Sequence, residues 1–307
     1  MLALYIALGI IGFIILFIII AVFMMYRLIF FSPRKGQLSD LNLTKSKNFK
    51  GYEEVMKENI ISFMNKPHED VYINSFDKLR LHARYYEVNK SNKVALLIHG
   101  YKGTAYRDFN CISKIIFEQR YSVLLIDQRA HGLSKGHVIT FGVRETKDLL
   151  GWIDYVNKRF NNPEILLVGV SMGGNTALNT ADKIDKDIKI IADCPYSSPK
   201  EILRNTIKSV HLPVWLFYPL LNLTCHIFGH ESLNKTSSYD SIKNSDNKIL
   251  IIHGDKDHVI PYIDSKKLAD TYPNKIRYEL FKNADHGVSA LVDYNRYRKV
   301  VKEFLDN

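Results

Sequence analysis

Cysteine is scarce in this chain: Cys111, Cys194 and Cys225 are the three among 307 residues. They are too few and too scattered for a disulfide framework or a cysteine-based zinc site, and an odd set of isolated thiols fits a reducing compartment. Sixteen glycines and nine prolines exclude collagen-like or low-complexity composition. Dinucleotide and nucleotide-phosphate motifs are missing as well. Ser171-Met172-Gly173-Gly174 has neither the G-x-G-x-x-G spacing nor the phosphate-loop lysine, so no cofactor is expected. Lys and Arg outnumber Asp and Glu by 42 to 32, a formal charge of +10. The basic residues are dispersed and no zinc-finger spacing occurs, so this balance points to an anionic membrane surface rather than to nucleic acid.

Charge is absent altogether from one stretch. No side chain between residues 2 and 26 is charged, and nearly all are Ile, Leu, Phe, Val, Ala or Met. As a helix the stretch spans about 37 Å, more than the ~30 Å hydrocarbon core of a bilayer. Tyr5 and Tyr26 sit near its two ends, where interfacial aromatics belong. A cleaved signal peptide fits poorly: no Lys or Arg precedes the run, the run is too long, and no small-residue cleavage site follows. Residues 1–30 are therefore expected to form one transmembrane anchor. Arg27, Arg34, Lys35, Lys45, Lys47 and Lys50 follow it, which places the rest of the protein on the cytoplasmic side of the cell membrane. Residues 31–66 read as a polar juxtamembrane linker and then a packing helix at 52–64.

After Pro67 the pattern becomes alternating, with Val71, Ile73, Leu79, Leu81, Ala83 and Tyr85 marking two strands. Short continuous apolar runs follow at 94–98, 123–126, 165–170, 188–192, 249–252 and 277–281. Amphipathic stretches separate them at 107–120, 144–160, 172–184, 262–272 and 288–305. Runs apolar on both faces belong to a parallel sheet covered on both sides, and the alternation predicts an α/β fold over residues 67–307. Residues 199–229 break the rhythm, being very apolar with no clear strand, and read as a helical insertion over the carboxyl edge of the sheet.

The chemistry concentrates at that edge. Gly169-Val170-Ser171-Met172-Gly173 matches G-x-S-x-G directly after a strand and before a helix, the setting in which a tight turn presents a nucleophilic serine at a helix amino terminus. A serine hydroxyl needs a base, and His286 lies on the loop after the last strand. The imidazole needs an acid to orient it and balance its charge. Asp257 is expected to fill this role, and Asp255 to cap the turn. The backbone amides of Met172 and Tyr101 are the expected oxyanion donors. The rival reading of His253, Asp255, Asp257 and His258 as a metal cluster fails because alternate residues of extended chain point apart, so no metal is expected. Trp215, Phe217 and Leu220 in the insertion are expected to contact substrate.

Together His99-Gly100, Asp127-Gln128-Arg129-Ala130-His131-Gly132-Leu133-Ser134, the Ser171 elbow, Gly254–Pro261 and His286-Gly287 resemble, in type and order, a serine hydrolase of the α/β-hydrolase superfamily. The resemblance implies that residues 196–243 form a helical cap and that Asp127, Arg129 and His131 shape the site without catalysing. It also implies a membrane-anchored esterase acting on acyl esters or thioesters of a small molecule or lipid. An acylaminoacyl or prolyl-oligopeptidase-like peptidase and an inactive tethered scaffold are the alternatives.

Overall fold

In the computed structural model, residues 1–33, 41 and 47–307 are described. Most of the expected linker, residues 34–40 and 42–46, lies outside them. Helix α1 (Leu2–Met25) turns nearly all its side chains outward, and Val22 is its one buried residue. Among the described residues it is the one helix long and apolar enough to cross a membrane. A wider helical turn, Tyr26–Phe30, continues it and ends with Phe30 fully buried in the following domain. There Phe31 bridges Val138, Ile139 N–H donates to Phe30 O at 2.8 Å, and Ser32 N–H donates to His137 O at 2.9 Å.

The domain follows as α2 (Glu53–Met64), β1 (Glu69–Asn74), β2 (Arg80–Tyr86), β3 (Lys93–Ile98), α3 (Ala105–Asp108), α4 (Ile112–Glu118), β4 (Ser122–Asp127), α5 (Val143–Arg159), β5 (Glu164–Val170), α6 (Met172–Leu178) and β6 (Lys189–Asp193). Helices α7 (Pro199–Ser209), α8 (Val214–Gly229) and α9 (Ser238–Lys243) then intervene before β7 (Ile249–Gly254), α10 (Tyr262–Thr271), β8 (Ile276–Phe281), α11 (Ser289–Val292) and α12 (Tyr294–Asp306). The strands form one sheet in the order β1-β2-β4-β3-β5-β6-β7-β8. The β1–β2 and β2–β4 pairs are antiparallel and the others parallel. This is the α/β-hydrolase architecture expected from the sequence.

Alternation of side chains along each strand divides the core in two. Ala95 and Leu97 face a layer built by α2, α3, α4 and α12, including Ile60, Phe63, Ile115 and Tyr297. Val94, Leu96 and Ile98 face α5, α6, α9 and α10, including Trp152, Leu178 and Leu268. Three expected helices are shorter than their apolar periodicity. The 107–120 stretch breaks between α3 and α4, where Asn110 Nδ2 donates to Arg107 O at 2.7 Å. The 172–184 stretch ends as α6 at Leu178, and Thr180 Oγ1 returns to Ala177 O at 2.6 Å. The last breaks at Asp293, whose carboxylate accepts from Arg296 N–H and caps α12. In each case a polar side chain satisfies a backbone group that the helix would otherwise have used.

The tightest backbone packing lies at the turn from β5 into α6. A Cβ on Gly173 would lie 1.8 Å from Ile98 O and 2.7 Å from His99 O. Both are main-chain atoms at the end of a central strand and cannot swing aside. Gly173→Ala should therefore cost about 3 kcal/mol or more and lower Tm by roughly 6–12 °C, checked by thermal unfolding of the full chain.

Candidate active site

Ser171 occupies φ 55°, ψ −117° between β5 and α6, a conformation that costs a non-glycine residue energy and persists where packing enforces it. Its amide donates to Asp193 O at 2.8 Å, which ties the turn to the end of β6. Met172 follows at the first position of α6, where an amide has no carbonyl of its own helix to bond.

The partners come from the two loops at the far end of the sheet. A Cβ on Gly254 would sit 2.2 Å from Ala284 O, and Lys256 N–H donates to that same carbonyl at 2.9 Å. This close approach holds the loop after β7 against the loop after β8 and brings Asp257 to His286. His286 Nδ1 donates to Asp257 Oδ2 at 2.7 Å, and His286 Nε2 lies 3.0 Å from Ser171 Oγ. The carboxylate can only accept, so Nδ1 carries the proton and Nε2 is free to accept from the serine hydroxyl. Asp257 Oδ1 takes the amides of Val259 and Ile260 at 2.9 and 2.7 Å. Asp255 is turned away and accepts from Asn283 N–H at 2.6 Å, closing the turn as expected.

One participant was not singled out for this role in the sequence. His253, fully buried at the end of β7, places Nε2 3.1 Å from Asp257 Oδ2 and 3.0 Å from Ile260 O, and its Nδ1 accepts from Ser265 Oγ at 2.7 Å. Its position within His253-Gly254-Asp255-Lys256-Asp257 carries no local sign of this contact, because the loop folds back to create it. Burial opposes ionisation of Asp257, but the hydrogen bonds from His253 and His286 outweigh it and hold the carboxyl well below the usual carboxylate range. Burial likewise disfavours protonated His286, yet the hydrogen bond to Asp257 and the charges of Asp257 and Asp193 raise its pKa above the ordinary imidazole value. Asp193 itself is buried and accepts from Tyr297 Oη at 3.0 Å, and burial pushes its pKa up to about 6.

Cys194, Asp257 and His286 offer three ligating atoms within 4.8 Å of one another, the one such cluster among the described residues. Burial raises the Cys194 thiol well above its ordinary pKa, so at neutral pH it is a poor metal ligand. The neighbouring motifs brace the loop that carries Tyr101. His131 Nε2 accepts from Lys102 N–H at 3.1 Å, and His99 Nε2 accepts from Gln128 N–H at 3.1 Å. Asp127 accepts from His82 Nδ1 at 2.7 Å, and Arg129 holds Asp148.

Two cavities meet at Ser171, His286 and Tyr101. The larger, about 540 Å³, is walled by apolar side chains from α7 and α8, by Phe141 and Ile260, and by Met25 and Ile29 from the N-terminal helical segment. The smaller, about 140 Å³, has Asn48, Arg107 and Asp108 in its wall. Phe217 lines the larger cavity. Trp215 is 78% exposed and Leu220 part-buried, and neither is in its wall. The contributions of Met25 and Ile29 had no signal in the sequence, since packing of the helix end onto the domain creates them.

The chain is similar to known proteins over part of its length. The sequence model of the family described as serine aminopeptidase, S33 matches residues 89–223. The uncharacterized protein YqkD of Bacillus subtilis is 29% identical over 191 residues, 61% of this chain and 63% of that one. The lysophosphatidylserine lipase ABHD12 of Xenopus tropicalis is 26% identical over 254 residues, 76% of this chain and 64% of that one. The matches thus span less than two thirds of the length of either relative. The esterase Pf2001 of Pyrococcus furiosus superimposes with a TM-score of 0.62 at 23% identity, over 80% of this chain and 92% of that one. This chain has the α/β-hydrolase fold.

With His286 as base to Ser171, the acid limb of the pH profile would follow from the sign of the shift. Only neutral His286 could accept a proton from Ser171, and its pKa is raised. Activity should therefore fall, as pH drops, through a value above the ordinary ~6.5 of imidazole. Asp257→Asn should move this limb to lower pH and reduce kcat by roughly 10³–10⁴-fold, with Asp255→Asn changing kcat far less. Steady-state kinetics across pH on the three proteins checks both statements.

Proposed function

We propose that this protein is a membrane-anchored esterase that hydrolyses a single-chain acyl ester or thioester with a polar leaving group. The observation that carries the reading is the meeting of a large apolar cavity and a small polar one at the Ser171–His286 pair. An acyl chain fits the first, and the alcohol or thiol side of the bond fits the second, beside Arg107. Arg107 pairs with Asp108 at 3.0 Å and keeps part of its side chain exposed, which suits a leaving group bearing phosphate. A lysophospholipid has this combination of parts, and the name of the Xenopus relative records such a substrate for that protein. The apolar wall favours acyl esters over peptides.

In this reading Ser171 Oγ attacks the acyl carbonyl as its proton passes to His286 Nε2. The carbonyl electron pair moves onto oxygen, where the amides of Tyr101 and Met172 receive it. The tetrahedral adduct collapses, the C–O or C–S bond breaks, and His286 returns the proton to the leaving group. Water then gives a proton to His286, attacks the acyl-serine and releases the acid, and the proton goes back to Ser171. Asp257 stays ionised throughout and holds the imidazole in the tautomer that accepts at Nε2. Residues 2–26 cross the bilayer, and α7 and α8 act as the cap. The basic flank after residue 26 and three buried, unpaired thiols support a cytoplasmic placement of the domain.

The test is a series of esters of rising acyl length on the full chain in detergent. Each buried methylene is worth about 0.8 kcal/mol, so kcat/KM should climb about fourfold per methylene until the cavity is filled. Phe217→Ala should cut the long-chain preference by about tenfold while sparing acetyl esters. A flat chain-length profile, or turnover surviving Ser171→Ala, contradicts the proposal.

A further inference from the structure

Helix α8 has an unusual exposed side. Its sixteen residues include no Lys, Arg, Asp or Glu. Leu221, Thr224 and Cys225 are buried against the domain. Leu216, Leu223 and Ile227 are exposed, and Leu220 between them is part-buried. Steps of four, three and four residues align these four as one stripe along the helix. The α7–α8 turn extends the apolar surface, with Val210, Leu212 and Trp215 all exposed and Trp215 the most so. A continuous apolar surface of this kind marks a partner.

The neighbouring elements identify the partner. Helix α8 packs beside the last turns of α1, where Tyr26 stacks on Phe228 with ring centroids 4.0 Å apart and planes 15° from parallel. The stripe therefore lies next to the point where the apolar helix enters the domain. Exposed basic residues border the same region, with Arg27 following α1 and Lys208 in the last turn of α7. Met25 and Ile29 from the same helical segment wall the large cavity, together with Val210 and Leu212 from the exposed turn. The apolar surface and the cavity wall thus share residues.

We propose that the α7–α8 turn and the outer stripe of α8 sit within the lipid leaflet that α1 enters, and that the acyl cavity opens to this leaflet beside Met25 and Leu212. The proposal rests on the reading of α1 as a membrane anchor. The partner is the bilayer, with its acyl region against Trp215 and the leucines and its phosphates at the level of Arg27 and Lys208. A substrate lipid then moves its chain from leaflet to cavity without crossing water, which would cost about 0.8 kcal/mol per exposed methylene.

Tryptophan reports the docking independently of catalysis. The chain has two, Trp152 and Trp215. Trp152, on α5, is buried against the sheet, so it serves as an internal reference. The full chain is reconstituted in vesicles of phosphatidylcholine with a minor fraction of phosphatidylglycerol, with or without bromine on the upper part of the acyl chains. Bromine should quench about half or more of the Trp215 emission, the part removed in Trp215→Phe, and leave the remainder unchanged. A second arm combines Leu223→Glu and Ile227→Glu, neither of which lines the cavity. This variant should hydrolyse a water-soluble short ester at the native rate and act about tenfold or more slowly on a long-chain lysophospholipid embedded in the vesicles. Unquenched Trp215, or native activity of the double variant on the embedded lipid, overturns the proposal. Unquenched Trp215 with cross-links between copies through α8 also overturns it and assigns the stripe to a second copy of the chain. Native protein that hydrolyses no ester while Trp215 is quenched removes the esterase reading and leaves the docking standing.

Discussion

The structure depends on a main-chain contact with no room for a side chain, where Gly173 packs against the carbonyl oxygen of Ile98. This contact seats the start of α6 on the end of β3 and forces Ser171 into a positive φ. Ser171 thereby occupies the turn between β5 and α6, with Met172 at the helix start. The loop after β3, which carries Tyr101, is held at the same place by His131 and by the Gln128–His99 bonds. The proposed nucleophile and amide donors thus belong to segments held by backbone packing, the condition under which electrostatic stabilisation needs no reorganisation.

The histidine side of the site is governed by charge. Asp257 is buried, which alone would favour its neutral form, yet it receives two main-chain amides and faces two imidazoles. These donors hold it ionised, and the ionised carboxylate raises the pKa of His286. The Ser265–His253–Asp257–His286–Ser171 chain of hydrogen bonds is continuous, so the orientation of the His286 imidazole is supported through Asp257 by His253 and Ser265. A buried network of this kind is favourable when every member is satisfied.

Much of this was legible in the sequence because it is local. The G-x-S-x-G turn, the position of His286 after the last strand and the choice of Asp257 over Asp255 follow from short patterns whose geometry is fixed within a few residues. The strands were legible because continuous apolar runs require two covered faces. Helix ends were less so, since Asn110, Thr180 and Asp293 cap backbone groups within stretches whose periodicity continues past them. The contents of the cavity were least legible. Phe217, Trp215 and Leu220 are neighbours in one apolar run, yet rotation of α8 places only the first in the cavity wall. Met25 and Ile29 reach the cavity from more than 140 residues away in sequence from Ser171.

The same long-range packing joins the apolar N-terminal segment to the loop after β3. Tyr101 Oη donates to Ile29 O at 2.6 Å, and its ring stacks on Phe141, which meets Phe30 edge to face. Tyr101, whose amide is the proposed oxyanion donor, is therefore held by the end of the apolar N-terminal segment. The chemistry proposed for this site requires the hydroxyl of Ser171 to be the activated nucleophile. Reaction of the intact full chain with a fluorophosphonate, followed by peptide mass spectrometry, tests that assumption most directly. The account predicts one covalent adduct, on Ser171, that is lost in folded Ser171→Ala. Labelling of another residue, or none in the folded native protein, would contradict it.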